Sequence, residues 1–406
     1  MLILKFKTTF ILNFVAAVIL TWLYAANYAH ADTIDSEISN IHLPDNFTIR
    51  IYSKLTPQYG QPRMMTFDRD GKLYVALASS NRVIMISDEN GDGLADKPVI
   101  IADHLNAPNS IAFADDKMFI SNQDGIVKLT RQAGAWSTPV PFISNLPTGG
   151  HTLKTIRVGA DQHLYLNIGS SCNVCEEQDA KRATIMRYTL DGRPAGFLTT
   201  VGKHTPSAIW ANGLRNSQGF AWHPVTGEFF ATNEGADNRS GTKNGRVDDE
   251  LPPEHLNIIK EGNHYGWPFC WANPNEPNMM FQDPNFIGSS NFCEKTTPPA
   301  ITFKAHSTPI GITFLDKSQF PDTYKSDAIV ALHGSWNRKE PSGYKLVRVK
   351  FKDNQPVEVL DFATGWLKGK SAWGRPVDVT VGPNGALYVS DDHAGLIYVI
   401  EYQPKS

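Results

Sequence analysis

The sequence predicts an all-β protein built as a six-bladed β-propeller with long inter-strand loops, and three observations lead there. A unit of apolar strand, polar turn and second apolar strand recurs six times along the chain. Within each arm apolar and polar residues alternate with a period of two. No long stretch with a helical period competes with this pattern. One hairpin cannot bury its own face, whereas several four-stranded sheets packed radially bury theirs and leave only short, protected edges. A two-sheet sandwich is the competing architecture.

The elements follow in chain order. Lys5 and Lys7 precede an apolar stretch from Phe10 to Ala26, and Ala29-His30-Ala31 supplies a small-x-small pattern, so residues 1–31 read as a signal peptide cleaved after Ala31. The alternative is an uncleaved anchor, because the stretch approaches membrane-spanning length although it contains Asn13. Residues 32–406 then form a single propeller domain, periplasmic or secreted, with no stable membrane insertion. FTIRIYS from Phe47 is strand-like and is expected to close the ring beside IYVIEY from Ile397. The repeats are RMMTFDRDGKLYVA from Arg63, NSIAFADDKMFIS from Asn109, KTIRVGADQHLYLNIG from Lys154 and SQGFAWHPVTGEFFATN from Ser217. PIGITFLD with SDAIVALHG from Pro309 and PVDVTVGPNGALYVSDD from Pro376 complete the set. Their DG, NG and TG pairs mark tight reversals. Much the longest connection, from Gly235 to Ala305, is rich in Pro, Asn and Cys with little strand pattern, and such loops are often functional.

Composition narrows the function. With 38 basic against 41 acidic residues and a net charge of -3, the chain has no basic footprint for nucleic acid. Four cysteines in 406 residues are too few for a disulfide scaffold. Cys172 and Cys175 form a CxxC, but Glu176 stands where a c-type haem site needs His. Two local disulfides, Cys172 with Cys175 and Cys270 with Cys293, are the simplest reading of three open connectivities.

Chemistry gathers before the strands. GLRNSQGFAWHP places Arg215, Asn216 and Gln218 at a strand start; a fixed cation and two amides suit a flat ligand with carbonyls and carboxylates. Capping of neighbouring backbone is the alternative. His151, after two glycines in TGGHTLKTIRVG, is placed to act as a general base. DENGDGLAD offers side-chain oxygens from Asp88, Asn90, Asp92 and Asp96 around Gly93, the pattern of a structural calcium loop, but Val99 occupies the place of the bidentate Glu of an EF-hand. An ordinary Asp/Asn/Gly turn explains it equally.

These motifs, with SSCNVC (Ser170 to Cys175), NEGADN (Asn233 to Asn238), GNHYGWP (Gly262 to Pro268) and HGSWNR (His333 to Arg338), resemble the soluble glucose/sorbosone dehydrogenase family and keep its motif order, and SSCNVC and HGSWNR resemble its sorbosone dehydrogenase-like branch. The resemblance implies a six-bladed propeller that uses pyrroloquinoline quinone (PQQ) and Ca²⁺ to oxidise a sugar, with electrons passing to an external acceptor. It implies His151 as catalytic base, Arg215 as the group polarising the reacting quinone carbonyl, Asn216 and Gln218 as cofactor contacts, and the carbonyls of Gly235 and Ala236 as calcium ligands. Glu234 stands where the resemblance leads one to expect an amide. Arg338 is favoured over His333 as the anion partner in HGSWNR, and Arg375 is the one arginine at the start of the sixth repeat. Two rival functions are a calcium-dependent lactone hydrolase, which would need carboxylates clustered on the metal, and a cofactor-free binding module.

Overall fold

Where the repeats alternate, strands form. The computed structural model describes residues 36–197, 207–289 and 291–404; the expected signal segment and its cleavage point lie outside the described residues. Leu43–Ser406 is one compact unit and Met1–His42 another, in which residues 36–38 make a helical turn.

Six antiparallel four-stranded blades follow one another along the larger unit. Blade 1 comprises Met65–Phe67, Leu73–Leu77, Arg82–Ile86 and Val99–Ala102; blade 2 Ser110–Ala114, Lys117–Ser121, Ile126–Gln132 and Val140–Ile143. Blade 3 comprises Ile156–Val158, His163–Ile168, Thr184–Thr189 and Ile209–Asn212; blade 4 Phe220–Trp222, Phe229–Asn233, Glu254–Ile258 and Ile301–Phe303. Blade 5 comprises Pro309–Phe314, Ala328–Leu332, Lys345–Lys352 and Gln355–Ala363. Blade 6 comprises Pro376–Val381, Leu387–Asp391 and Leu396–Tyr402, and its fourth strand is Phe47–Lys54 from the other end of the chain. The pairing Phe47 to Tyr402 through Lys54 to Leu396 closes the ring as the sequence suggests and rules out the sandwich.

The second strands explain the packing. Leu73–Leu77, Phe229–Asn233, Ala328–Leu332 and Leu387–Asp391 are buried along their whole length, because both faces of a blade meet a neighbouring blade. Apolar clusters therefore lie between blades, such as Phe230, Leu256, Ile312 and Val330 between blades 4 and 5. First strands of neighbouring blades touch around the axis. Glycine allows this approach: a Cβ at Gly219 would strike the Ile310 carbonyl, and one at Gly311 would strike Asp378.

One expectation needs correction. The stretch from Gly235 to Ala305 is more than loop, for it holds the third and fourth strands of blade 4 and an extra hairpin, Cys270–Asn273 with Glu276–Gln282. Glu254, His255 and Asn257 are buried in that third strand, so polar side chains occupy interior positions and mask the alternation.

Candidate active site at the axis

The residues just ahead of the first strands converge. Arg63, before blade 1, reaches across the axis and donates to Gln218 Oε1 of the opposite blade 4 at 2.9 Å. It also donates to Asn109 Oδ1 at 3.2 Å and pairs with Asp392 at 2.9 Å. Asp392 accepts from Arg375 Nε at 2.9 Å and His333 Nε2 at 3.0 Å as well. Burial opposes ionisation of Asp392, but the His333 hydrogen bond and the two guanidinium groups hold its carboxyl well below the usual range. Further along the channel Arg157 of blade 3 faces Asp378 of blade 6 at 3.6 Å.

Blade 4 supplies the next shell of the same network. Gln218 Nε2 and Asn216 Nδ2 donate to the two oxygens of Glu234 at 3.1 and 3.0 Å. Burial pushes the Glu234 carboxyl up, against the pull of Arg215 and Asn216. The carboxylate that stands in place of an amide is thus satisfied by the two amides themselves. Asn216 Oδ1, by contrast, is buried without a hydrogen-bond partner among the described residues, an acceptor that a bound ligand could satisfy.

His151 and Arg215 are joined through Ser170. The His151 N–H donates to Ser170 O at 2.9 Å, and the Ser170 N–H donates to Arg215 O at 2.8 Å. The Ser170 hydroxyl has one proton and gives it to Cys172 O at 2.7 Å. It must therefore accept from His151 Nδ1 at 2.9 Å, which fixes the proton on Nδ1 and leaves Nε2 as the basic nitrogen. Burial, reinforced by the Arg215 charge, pushes the His151 pKa down to about 4, so the ring is neutral across the physiological range.

Arg215 is 4% exposed. Its Nε donates to Asn173 O at 3.2 Å, and its Nη2 donates to Asn173 Oδ1 at 3.0 Å and Asp237 Oδ2 at 2.9 Å. Asp237 also accepts from Asn337 Nδ2 at 2.8 Å and lies 3.5 Å from His306 Nδ1. His306 is held at a left-handed φ of 61°, a sparsely populated conformation for any residue but glycine. Although burial raises it, the Asp237 pKa is lowered overall, by His306 first and then Arg215.

Between Glu234 and Asp237 lie Gly235 and Ala236. The Gly235 N–H donates to Glu254 Oε2, and burial pushes the Glu254 carboxyl up to about 8. Among the described residues neither the Gly235 nor the Ala236 carbonyl accepts a hydrogen bond. Two uncommitted carbonyl oxygens beside carboxylates fit a hard cation. Among the described residues no three Asp, Glu or His side chains converge within 4.8 Å; the one metal-like trio is Cys172, Cys175 and Glu177, whose cysteines are spent in a disulfide.

One sequence expectation shifts. Arg338 uses four of its five N–H donors in a loop clamp, to the carbonyls of Asp249, Ala305 and Glu340 and the Glu250 carboxylate. It is not available as an anion partner, and from HGSWNR it is His333 and Asn337 that join the network. Arg375 fits that role better: its side chain is 38% exposed and only its Nε is engaged among the described residues. The loop from Asp88 to Asp96 turns one oxygen of each of its four Asp and Asn side chains onto its own backbone. Asp88 accepts from Gly93 N, Asn90 from Asp92 N, Asp92 from Leu94 N and Asp96 from Glu89 N, and the Arg50 guanidinium takes the Gly93 carbonyl. These bonds shape an Asx-turn loop in which Asp88 Oδ1 is buried without a hydrogen-bond partner among the described residues.

Both expected disulfides are present, Cys172–Cys175 and Cys270–Cys293. Sequence reading missed Arg63, Asn173, Asp237, Glu254, His306 and Asp392 as site residues. Asn173 and Asp237 lie inside motifs it singled out, and Arg63 opens the first repeat.

Known proteins share this architecture. The profile of the TrAA12-like family matches residues 45–403. An uncharacterized protein of Borreliella burgdorferi is 28% identical over 383 residues, covering 90% of this chain and 92% of that protein. A PQQ-dependent pyranose dehydrogenase of Coprinopsis cinerea is 24% identical over 389 residues, 84% of this chain and 52% of that one. The chain therefore spans about half the length of that relative. Among solved structures, a Trichoderma reesei carbohydrate-active enzyme of family AA12 superposes with a TM-score of 0.75 at 20% identity, covering 89% and 98% of the two chains. The holo PQQ domain of the Coprinopsis pyranose dehydrogenase gives 0.74 at 20% identity, covering 89% and 97%. At these identities the superpositions carry the fold, and none of the four bears on the sorbosone branch in particular.

Proposed function

Because the chain belongs to the TrAA12-like family, we propose that it is a PQQ- and Ca²⁺-dependent dehydrogenase that oxidises a sugar and passes the electrons to an external acceptor. The observation that carries this reading is the placement of His151, neutral and with a free basic Nε2, one hydrogen-bonded residue away from Arg215. When bound, PQQ would supply a two-electron acceptor and Ca²⁺ a Lewis acid.

The chain's own residues have distinct tasks. His151 Nε2 takes the proton of the sugar hydroxyl, with Nδ1 anchored on Ser170 so that the ring does not turn. Arg215, immobilised before the reaction by Asn173 and Asp237, presents positive charge where oxygen charge develops. Arg375 meets ligand carboxylates, with Arg63 and His333 behind it on Asp392. Asn216 Oδ1 would accept from the ligand, and the Gly235 and Ala236 carbonyls would hold the calcium. The hydrolase reading wants a carboxylate cluster on the metal, which is not found among the described residues. A pure binding module leaves the fixed tautomer of His151 without purpose. The two disulfides suit an oxidising compartment, periplasmic or extracellular.

The test is reconstitution of apoprotein with PQQ and Ca²⁺, followed by dye reduction with a panel of pyranoses, aldoses and sorbosone. Quinone absorbance together with turnover supports the proposal. Absence of both overturns it.

A further inference from the structure

The short loop closed by Cys172 and Cys175 touches both halves of the proposed chemistry. Through its first residue it accepts the Ser170 hydroxyl that orients His151. Through Asn173 it binds Arg215 twice. The Asn173 side chain also brackets the metal-side turn, accepting from Asp237 N at 2.7 Å and donating to Asp237 O at 2.8 Å. Trp267 Nε1 donates to the Asn173 carbonyl at 3.1 Å and buttresses the loop from behind. A four-residue loop on the surface would ordinarily be mobile, yet every polar atom of this asparagine side chain is committed to the Arg215–Asp237 pair.

We propose that Asn173 is a positioning residue for Arg215, and that the Cys172–Cys175 disulfide serves the reaction by holding Asn173 in register with His151, Arg215 and the Gly235–Asp237 turn. The inference rests on the dehydrogenase reading for its activity readout but has a second readout that needs no cofactor. The charged groups acting on His151 are Arg215 and Arg182, which disfavour its protonation, and Asp237, which favours it. Arg182 is fixed independently, on the Thr148 and Gly149 carbonyls. Freeing Arg215 therefore relaxes the ring toward ordinary basicity, since Arg215 outweighs Asp237 in its effect on His151.

Three variants of the full chain test this: Asn173→Leu, which is near-isosteric and whose side chain makes no hydrogen bond; Asn173→Asp, which keeps both side-chain acceptor bonds and loses the donor to Asp237 O; and the pair Cys172→Ser with Cys175→Ser. The His151 titration is followed by NMR in apoprotein, and steady-state kinetics with PQQ, Ca²⁺ and sugar. For Asn173→Leu the expected result is a His151 pKa raised by about one unit and kcat lowered about a hundredfold, with KM little changed. Asn173→Asp should keep kcat within about threefold of wild type, and the serine pair should fall between in kcat. A folded Asn173→Leu protein with the wild-type titration and kcat overturns the proposal. If that variant does not fold, unchanged titration and kcat in the serine pair overturn it instead. Inactive wild type would sink the dehydrogenase reading, while the apoprotein titration would still decide the positioning role.

Discussion

Asp392 pairs with Arg63, Arg375 and His333 at once, and replacing it by Asn removes the charge while keeping the shape. Arg63 and Asp392 are each 9% exposed at the side chain, so the variant leaves a buried arginine without its counter-ion. Breaking a buried pair from one side costs about 3–5 kcal/mol. For a unit of the size of Leu43–Ser406 the unfolding entropy is on the order of 0.8 kcal/mol per kelvin, so the midpoint should fall by about 4–6 °C. The assay is thermal unfolding of apoprotein near neutral pH, read by circular dichroism. Because the folded carboxyl is depressed below its ordinary value, its contribution is present above the unfolded pKa and is lost as the pH falls through and below it. The difference between wild type and variant should therefore shrink in strong acid. A shift under about 1 °C near neutrality would refute the idea that Asp392 holds these cations together.

Other expectations can be checked in parallel. His151→Gln should lower kcat at least a hundredfold while leaving the quinone absorbance in place. For wild type, kcat/KM should stay level as the pH drops from 7 toward 5 and then decline around the His151 pKa of about 4, because the base must be unprotonated; a limb near 6.5 would contradict the buried environment. Arg375→Leu should raise the PQQ Kd, whereas Arg338→Leu should lower the unfolding midpoint and leave PQQ affinity alone; equilibrium dialysis separates the two. Phe47→Ala removes a ring packed on Phe320, Tyr324, Phe362 and Tyr402 and should cost about 3–5 kcal/mol in urea unfolding.

The propeller was legible in the sequence because its information is local. Alternation marks each hairpin, DG, TG or NG turns close the first, fourth and sixth, and FTIRIYS beside IYVIEY is readable as a closing pair. The third strand of blade 4 was not legible, since the buried Glu254, His255 and Asn257 erase the pattern that announces a strand. In the site, residues that act at their own strand entrance, such as His151, Arg215 and Gln218, were within reach. Those defined by what they meet across the molecule were not. Nothing local in Arg63 says that it crosses the axis to Gln218, and only tertiary packing decides that Arg338 grips loops while Asn337 and His333 turn inward.

The strand Phe47–Lys54 finds its partner at Leu396–Tyr402, almost the whole polypeptide away. Joining ends so distant costs about 3 kcal/mol more in loop-closure entropy than folding a ten-residue hairpin, so the ring is completed late and only after the last residues have been synthesised. Until then Phe47–Lys54 stays unpaired, and an open edge of this kind can recruit a stray strand from another chain. A chain cut short by a dozen residues thus loses more than its tail: it releases its beginning too, and aggregation during biosynthesis becomes its characteristic failure.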